Sequence, residues 1–350
     1  MTADHTMREA LELQAAGCEM LGSLVYGRLL TEILSDYDRG GLTAELLDGR
    51  SDRPIHDAIP LRLLGAVHRI VLRGDAPDLA AVYPSAGGVD DGRSVLEPFL
   101  ATVRSHRDEV EAGMRKGVQT NEVGRAALLV GGFSLVSRRF GLPLDLLEVG
   151  ASAGLLLRWD AYRYETPAGD SLGDPASPLS FDDVWKAPPP LSPVTVGDRR
   201  GVDIAPLDAT DADDRLTLLS FVWPDQSARF TRLRRALDLA AMRPVTIDHQ
   251  DAGEWLAAHL PERRDGTTTV VYHSIVWQYL PRPTKDMARA ALAEAGEGAS
   301  TSSPLAWLRM EPAGAVVDLR LTTWPGGEEE LLATASYHGA DVEWVGPSAV

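Results

Sequence analysis

Leu146 to Asp160 reads "LLEVGASAGLLLRWD". An apolar run of strand type breaks into small residues from Gly150 to Gly154, then resumes with leucines at helical density. Two patterns overlap inside it. Gly150, Ser152 and Gly154 have the GxSxG spacing that sets a serine on a strained strand-to-helix turn for acyl attack. Glu148, Gly150 and Gly154 spell ExGxxxG, where small residues let the chain turn tightly, let backbone approach a ligand, and free the N–H groups of the next helix. Both patterns need small residues at the same places, so the local sequence leaves the choice open.

The surroundings differ on the two sides of this stretch. Up to about Arg139, apolar residues recur at three and four in "CEMLGSLVYGRLLTEIL", "IPLRLLGAVHRIVL", "VLEPFLATVRSHRDEVEAGM" and "EVGRAALLVGGFSLVSRRF". That period predicts an all-helical N-terminal domain, 1–140. From Leu144 short apolar runs alternate with helical ones, the signature of an α/β sheet over 141–350. Strands are expected at "LDLLEVG", "VTVGDRRGVDIAPLD", "RPVTIDHQD", "TTTVVYHSIV" and "PLAWLRMEP". Helices are expected at "SAGLLLRWDAY", "ARFTRLRRALDLAAM", "GEWLAAHL" and "TKDMARAALAEAG", and a closing hairpin turns at Gly326 and Gly327. Residues 162–193, rich in Pro, Gly, Ser and Asp, read as an insertion too polar for core, a lid or irregular loop with a short hairpin.

Composition removes several function classes. Acidic side chains number 51 against 34 basic ones, and the net charge of −17 repels phosphate backbones and anionic lipid over most of the surface. Nucleic acid and membrane are therefore not expected partners, and a small-molecule substrate is. Cys18 is the only cysteine, so neither an internal disulfide nor a thiolate cluster can form. The scattered histidines show no metal-ligand spacing, and no metal site is expected. The polar start "MTADHTMREALELQ" has no signal-peptide pattern, and together with the lone cysteine it points to the cytoplasm. Oligomeric state is not readable.

Context also separates the two patterns. A hydrolase elbow sits in mid-sheet with an upstream oxyanion element and downstream acid and imidazole partners. Here it would lie on the first strand after helices only. Ser152, Asp318 and His338 do stand in the required chain order, so a serine hydrolase stays as an alternative. "LLEVGASAG" closely resembles the cofactor motif of class I S-adenosylmethionine-dependent methyltransferases. A carboxylate at the end of a buried strand is costly to desolvate and should have a polar partner; in that family the acidic residue at this point, here Glu148, contributes to the cofactor site.

The resemblance continues in order along Leu144 to Val345. It implies a Rossmann-like methyltransferase sheet, mostly parallel with an antiparallel last strand, that binds S-adenosylmethionine and transfers its methyl group to a small-molecule acceptor. Gly150, Ser152 and Gly154 would form the cofactor loop. Asp203, with Asp208 as fallback, would meet the ribose hydroxyls. Asp251 beside Ala252, with Asp248 as fallback, would meet the adenine amino group, and Asp251 is also a helix N-cap signal. Tyr272, His273, Ser274 and Trp277 would line the reaction pocket, with His273 and Tyr272 as catalytic candidates and His273 the general base. Trp223, Trp277 and Tyr279 are candidate aromatic walls. In "VQTNEVGRAALL", Thr120 or Asn121 is a cap candidate that starts a helix over the loop, and Arg125 is a partner for the cofactor's carboxylate. "EVGASAG", "RRGVDIAPLD", "FVWPDQ" and "SYHGADVEW" in this order also resemble an uncharacterised bacterial family, a domain of unknown function. That likeness carries no activity, and a non-catalytic cofactor-binding protein on the same fold is a further alternative.

Overall fold

The computed structural model describes residues 6–347, so residues 1–5 of the polar start lie outside the described residues. The chain divides into two compact units, Met1–Thr120 with Asp211–Arg234, and Asn121–Thr210 with Arg235–Val350. The change of sequence texture placed one boundary at 140/141. Compactness places the break after Thr120 and returns a later segment to the first unit.

The first unit is helical. It contains α1 (Met7–Met20), α2 (Leu24–Asp38), α3 (Leu42–Leu47), α4 (Ile59–Arg73), α5 (Pro77–Ala80), α6 (Leu96–Ser105) and α7 (Arg107–Arg115). To these the returning segment adds α9 (Ala212–Ser220). Thr6 and Glu9 cap α1 reciprocally, each side chain taking the other's backbone N–H. In α4, Pro60 in the first turn and left-handed Gly74 at the end are the start and stop signals that its sequence carries. Leu11, Val25, Leu29, Ile33, Leu63, Val67, Ile70 and Phe99 fill one continuous core. The returning segment is tied to it by Asp225, which accepts hydrogen bonds from Ser23 Oγ at 2.6 Å and Val25 N–H at 2.9 Å. The helix α10 (Ser227–Met242) carries the unit boundary, which falls after Arg234.

The second unit is built on a large, mostly parallel α/β sheet. Its strands are β1 (Leu144–Val149), β5 (Trp185–Ala187), β6 (Val196–Asp203), β7 (Thr246–His249), β8 (Thr268–Ser274), β9 (Leu305–Ala313), β10 (Val316–Trp324), β11 (Glu328–Ala335) and β12 (Val342–Trp344). The order across it is β5-β12-β11-β10-β9-β8-β1-β6-β7. From β7 to β9 every neighbouring pair is parallel. The closing part is larger than a single antiparallel strand, since β10, β11 and β12 each run against their predecessor.

The two faces of β8 look onto different helices, because successive side chains on a strand alternate. Val271 joins a core with Val149, Val202, Trp255, Leu256 and Leu292, supplied in part by α11 (Ala252–His259) and α12 (Arg282–Glu297). Tyr272 points the other way and meets Phe133 of α8 (Ala126–Phe140) edge-on at 5.1 Å between ring centroids. Close approach explains the glycine pair in α8: a Cβ on Gly132 would lie 2.6 Å from Leu308, and one on Gly131 would lie 2.6 Å from Trp344.

Two local expectations are corrected. The run after Gly154 forms a 3-10 turn at Leu156–Ala161, not an α-helix, and Arg158 inside it has non-helical dihedrals. The carbonyls an α-helix would use are taken by side chains. Arg158 Nη1 donates to Ala153 O at 3.1 Å and Gly154 O at 2.7 Å, and the Tyr162 hydroxyl donates to Leu155 O at 2.6 Å. The 162–193 insertion does hold core: around β2 (Arg163–Glu165), β3 (Ser171–Leu172) and β4 (Ser180–Phe181), which form a small sheet, Tyr162, Tyr164 and Phe181 are buried.

Candidate functional site

The sharpest backbone feature lies where β1 ends. Gly150, Ser152 and Gly154 have φ of 72°, 51° and 67°, so three left-handed residues within five turn the chain off the strand. Glycine adopts this region freely, whereas serine is strained there and must be held. The holding groups are visible. Gly150 and Ala151 donate to Val202 O, Ser152 N–H donates to Asp203 Oδ2 at 2.8 Å, and Leu155 N–H donates to Asn121 Oδ1 at 2.9 Å. Leu207 N–H reaches Ser152 O at 3.2 Å, so the segment after β6 is tied to the bend.

This brings together several residues singled out in the sequence. Asp203 ends β6, next to β1, and its other oxygen accepts from Ala205 N–H at 2.9 Å. A carboxylate has about four lone-pair sites, so two backbone bonds leave acceptor capacity. Asn121 does reach the bend, but not as the start of a long helix. Glu122 accepts from Gly124 N–H and caps a 3-10 turn at Val123–Arg125, and α8 begins only at Ala126. Arg125 donates to Ser274 O at 3.0 Å and Tyr337 O at 3.3 Å, which puts its guanidinium beside the end of β8.

Glu148 has the polar partner that its burial demands. It is 1% exposed, and the Tyr272 hydroxyl donates to its Oε2 at 3.2 Å. Burial drives the carboxyl well above the usual range, with the Tyr272 hydrogen bond opposing and the nearby Asp203 charge adding to the rise. Burial therefore disfavours the ionised form of this carboxyl in the fold.

Other expected members lie elsewhere. Tyr272 and His273 are consecutive on β8 and face opposite sides of the sheet, Tyr272 against Phe133 and His273 against Trp277. His273 instead shares its face with Glu311, whose Oε1 lies 2.6 Å from Nδ1, and stacks on Trp277 with centroids 5.0 Å apart. Sequence separation concealed Glu311; a two-residue period along β8 would have separated Tyr272 from His273. Asp251 is the N-cap of α11, taking Gly253 and Glu254 N–H and the Thr284 hydroxyl, with Ala252 buried behind it. Asp248 is committed to Arg200 and to the Trp255 indole N–H. Asp208 holds Thr210. Trp223 packs in the first unit's core, whereas Trp277 and Tyr279 belong to a 3-10 turn after β8 in the second. Asp318 lies on β10 and pairs with Arg320 at 2.9 Å. Since β8 and β9 intervene between β1 and β10, Asp318 and the Ser152 bend are about 14 Å apart at normal strand spacing, too far for one imidazole to bridge.

A cavity of about 470 Å³ opens beside the bend on the β6–β7 side, lined in part by Ala153, Arg158, Leu207, Asp208 and Ile247. Among the described residues no cluster of His, Cys, Asp and Glu is arranged to hold a metal ion, and no helix is long and apolar enough to cross a membrane. A family model described as "Uncharacterized protein conserved in bacteria (DUF2332)" matches residues 8–344. A search of curated proteins found no match.

Proposed function

This chain belongs to the DUF2332 family of bacterial proteins, and we propose that it binds S-adenosylmethionine at the bend after β1 and directs its methyl group to a small-molecule acceptor. One observation carries the reading. In the parallel run β7-β6-β1-β8-β9, the chain leaves β1 toward β6 and β7 and returns on the other side to β8. Open α/β sheets bind ligands in the crevice at such a switch point, beyond the carboxyl ends of the strands. Here that point coincides with the left-handed bend Gly150–Gly154 and with the Asp203 carboxylate.

The residues present fit such a group. The cavity beside the bend has Ala153 in its wall together with Leu207 and Asp208 from the segment after β6. Asp203 would accept from the ribose hydroxyls while it keeps the Ser152 N–H, and Arg125 would place positive charge near the cofactor's carboxylate. Glu148 as a neutral acid would brace Tyr272 beneath the bend without adding negative charge next to Asp203. When bound, S-adenosylmethionine supplies an electrophilic methyl on a sulfonium, and transfer requires mainly that the acceptor be held in line and shielded from water. With Tyr272 and His273 on opposite faces, the reading does not use them as a joint acid–base pair.

Calorimetric titration of the full chain with S-adenosylmethionine and S-adenosylhomocysteine tests the proposal. Binding of both is expected, and it should be lost in Gly150→Val, where a Cβ would lie 2.6 Å from Val276 on a left-handed backbone. Absence of heat and of any thermal shift with both compounds would reject it.

A further inference from the structure

A second cavity, of about 270 Å³, lies on the opposite face of β8 from Tyr272 and Glu148. Its wall includes His273, Trp307 and Arg309, and each leaves a buried nitrogen with no hydrogen-bond partner among the described residues: Nε2, Nε1 and Nε respectively. Buried polar atoms are nearly always paired, so three in one cavity wall require an explanation. His273 itself is fully buried.

The chemistry of the three atoms is complementary. Glu311 Oε1 already accepts from Val276 N–H at 3.2 Å and Trp277 N–H at 3.1 Å, so it acts as an acceptor and His273 Nδ1 donates to it. In the neutral ring Nε2 then carries the lone pair and accepts. Trp307 Nε1–H and Arg309 Nε–H can only donate. Arg309 lies over the Trp307 ring at 4.1 Å and is anchored through its Nη2 to Thr322 at 3.1 Å and to Glu329. Both bonds use Nη2, and the buried Nε–H has no partner among the described residues. Pro312 and Ala313 add apolar wall.

We infer that this cavity binds a small hydroxy-carboxylate: its carboxylate accepts from Trp307 Nε1–H and Arg309 Nε–H, its hydroxyl donates to His273 Nε2, and its apolar body lies against Pro312 and Ala313. The site is distinct from the proposed cofactor crevice. Val276 stands between them, since its side chain abuts Gly150 while its N–H faces Glu311.

The test titrates the full chain with three matched probes: mandelate, phenylacetate, which lacks the hydroxyl, and benzyl alcohol, which lacks the carboxylate. Mandelate is expected to bind about tenfold more tightly than phenylacetate, which loses one hydrogen bond, and about a hundredfold more tightly than benzyl alcohol, which loses two. It should also move the Trp307 indole N–H resonance in the unmodified protein. Trp307→Phe should weaken mandelate about tenfold while leaving the S-adenosylmethionine titration unchanged. Equal affinity for the three probes, or no mandelate heat and no indole shift at millimolar concentration, would overturn the inference. Mandelate binding without S-adenosylmethionine binding would leave this site standing and remove the cofactor reading; the reverse result would do the opposite.

Discussion

Replacing Glu148 by Gln should change the pH dependence of stability more than its value at any one pH. The carboxyl is 1% exposed and receives only the Tyr272 hydroxyl, at 3.2 Å. Burial raises its folded pKa well above the ordinary 4.5. Above about pH 4.5 the unfolded chain therefore releases a proton that the folded chain retains. The unfolded state then binds fewer protons, and stability falls as pH rises, by about 1.4 kcal/mol per pH unit until the folded pKa is reached. The amide of Glu148→Gln would keep an acceptor for Tyr272 and would not titrate. The variant should thus gain on the wild type by about 3–6 °C in melting temperature per pH unit, using the usual relation between free energy and Tm for a domain of roughly 150–250 residues. Thermal melts by circular dichroism at pH 5, 6 and 7 and fixed salt read this directly. Parallel curves for the two proteins, or a wild type that gains on the variant with rising pH, would refute the burial argument.

In the first unit the sign reverses at His68, whose pKa burial lowers to about 4. Its neutral ring donates Nδ1–H to Ser220 O at 3.0 Å and accepts from the Ser85 hydroxyl at 2.7 Å. The unfolded chain takes up a proton below about 6.5, so stability present above that pH should be lost between 6.5 and 4, by about 3 kcal/mol in all, and His68→Gln should flatten acid melts in that window. Arg158→Met strips hydrogen bonds from the buried carbonyls of Ala153, Gly154 and Ala240 and from the part-buried carbonyl of Arg243. It should cost about 3 kcal/mol in urea denaturation; a loss under about 1 kcal/mol would show that water replaces the guanidinium. Ester hydrolysis assayed with p-nitrophenyl acetate should show no difference between wild type and Ser152→Ala, because the acid named for a triad lies strands away on β10; a Ser152-dependent burst would restore the hydrolase reading.

The central strands were legible as short runs rich in apolar and β-branched residues, all of them buried or half-buried in the fold. "LDLLEV" and "TTVVYHS" became β1 and β8 in register, Glu148 beside Tyr272 and Val149 beside His273. The turn after Gly150 was legible from small residues alone. The run that follows was not, since leucine density predicts a helix and only the fold shows Arg158 and Tyr162 taking its carbonyls. Long-range partners escaped for the same reason: nothing near His273 in sequence announces Glu311, and nothing near Asp225 announces its hydrogen bonds to α2. Acidic residues at strand ends were found as residue types, but their use was not. Asp251 is an N-cap and Asp248 an ion-pair partner, roles that short-range geometry and an adjacent strand assign.

The most direct measurement is a crystal structure of the full chain soaked with S-adenosylhomocysteine. Nucleoside density is expected over Gly150–Gly154 with the ribose hydroxyls on Asp203. A ligand bound elsewhere in fully occupied crystals, with the bend covered only by protein, would contradict that expectation.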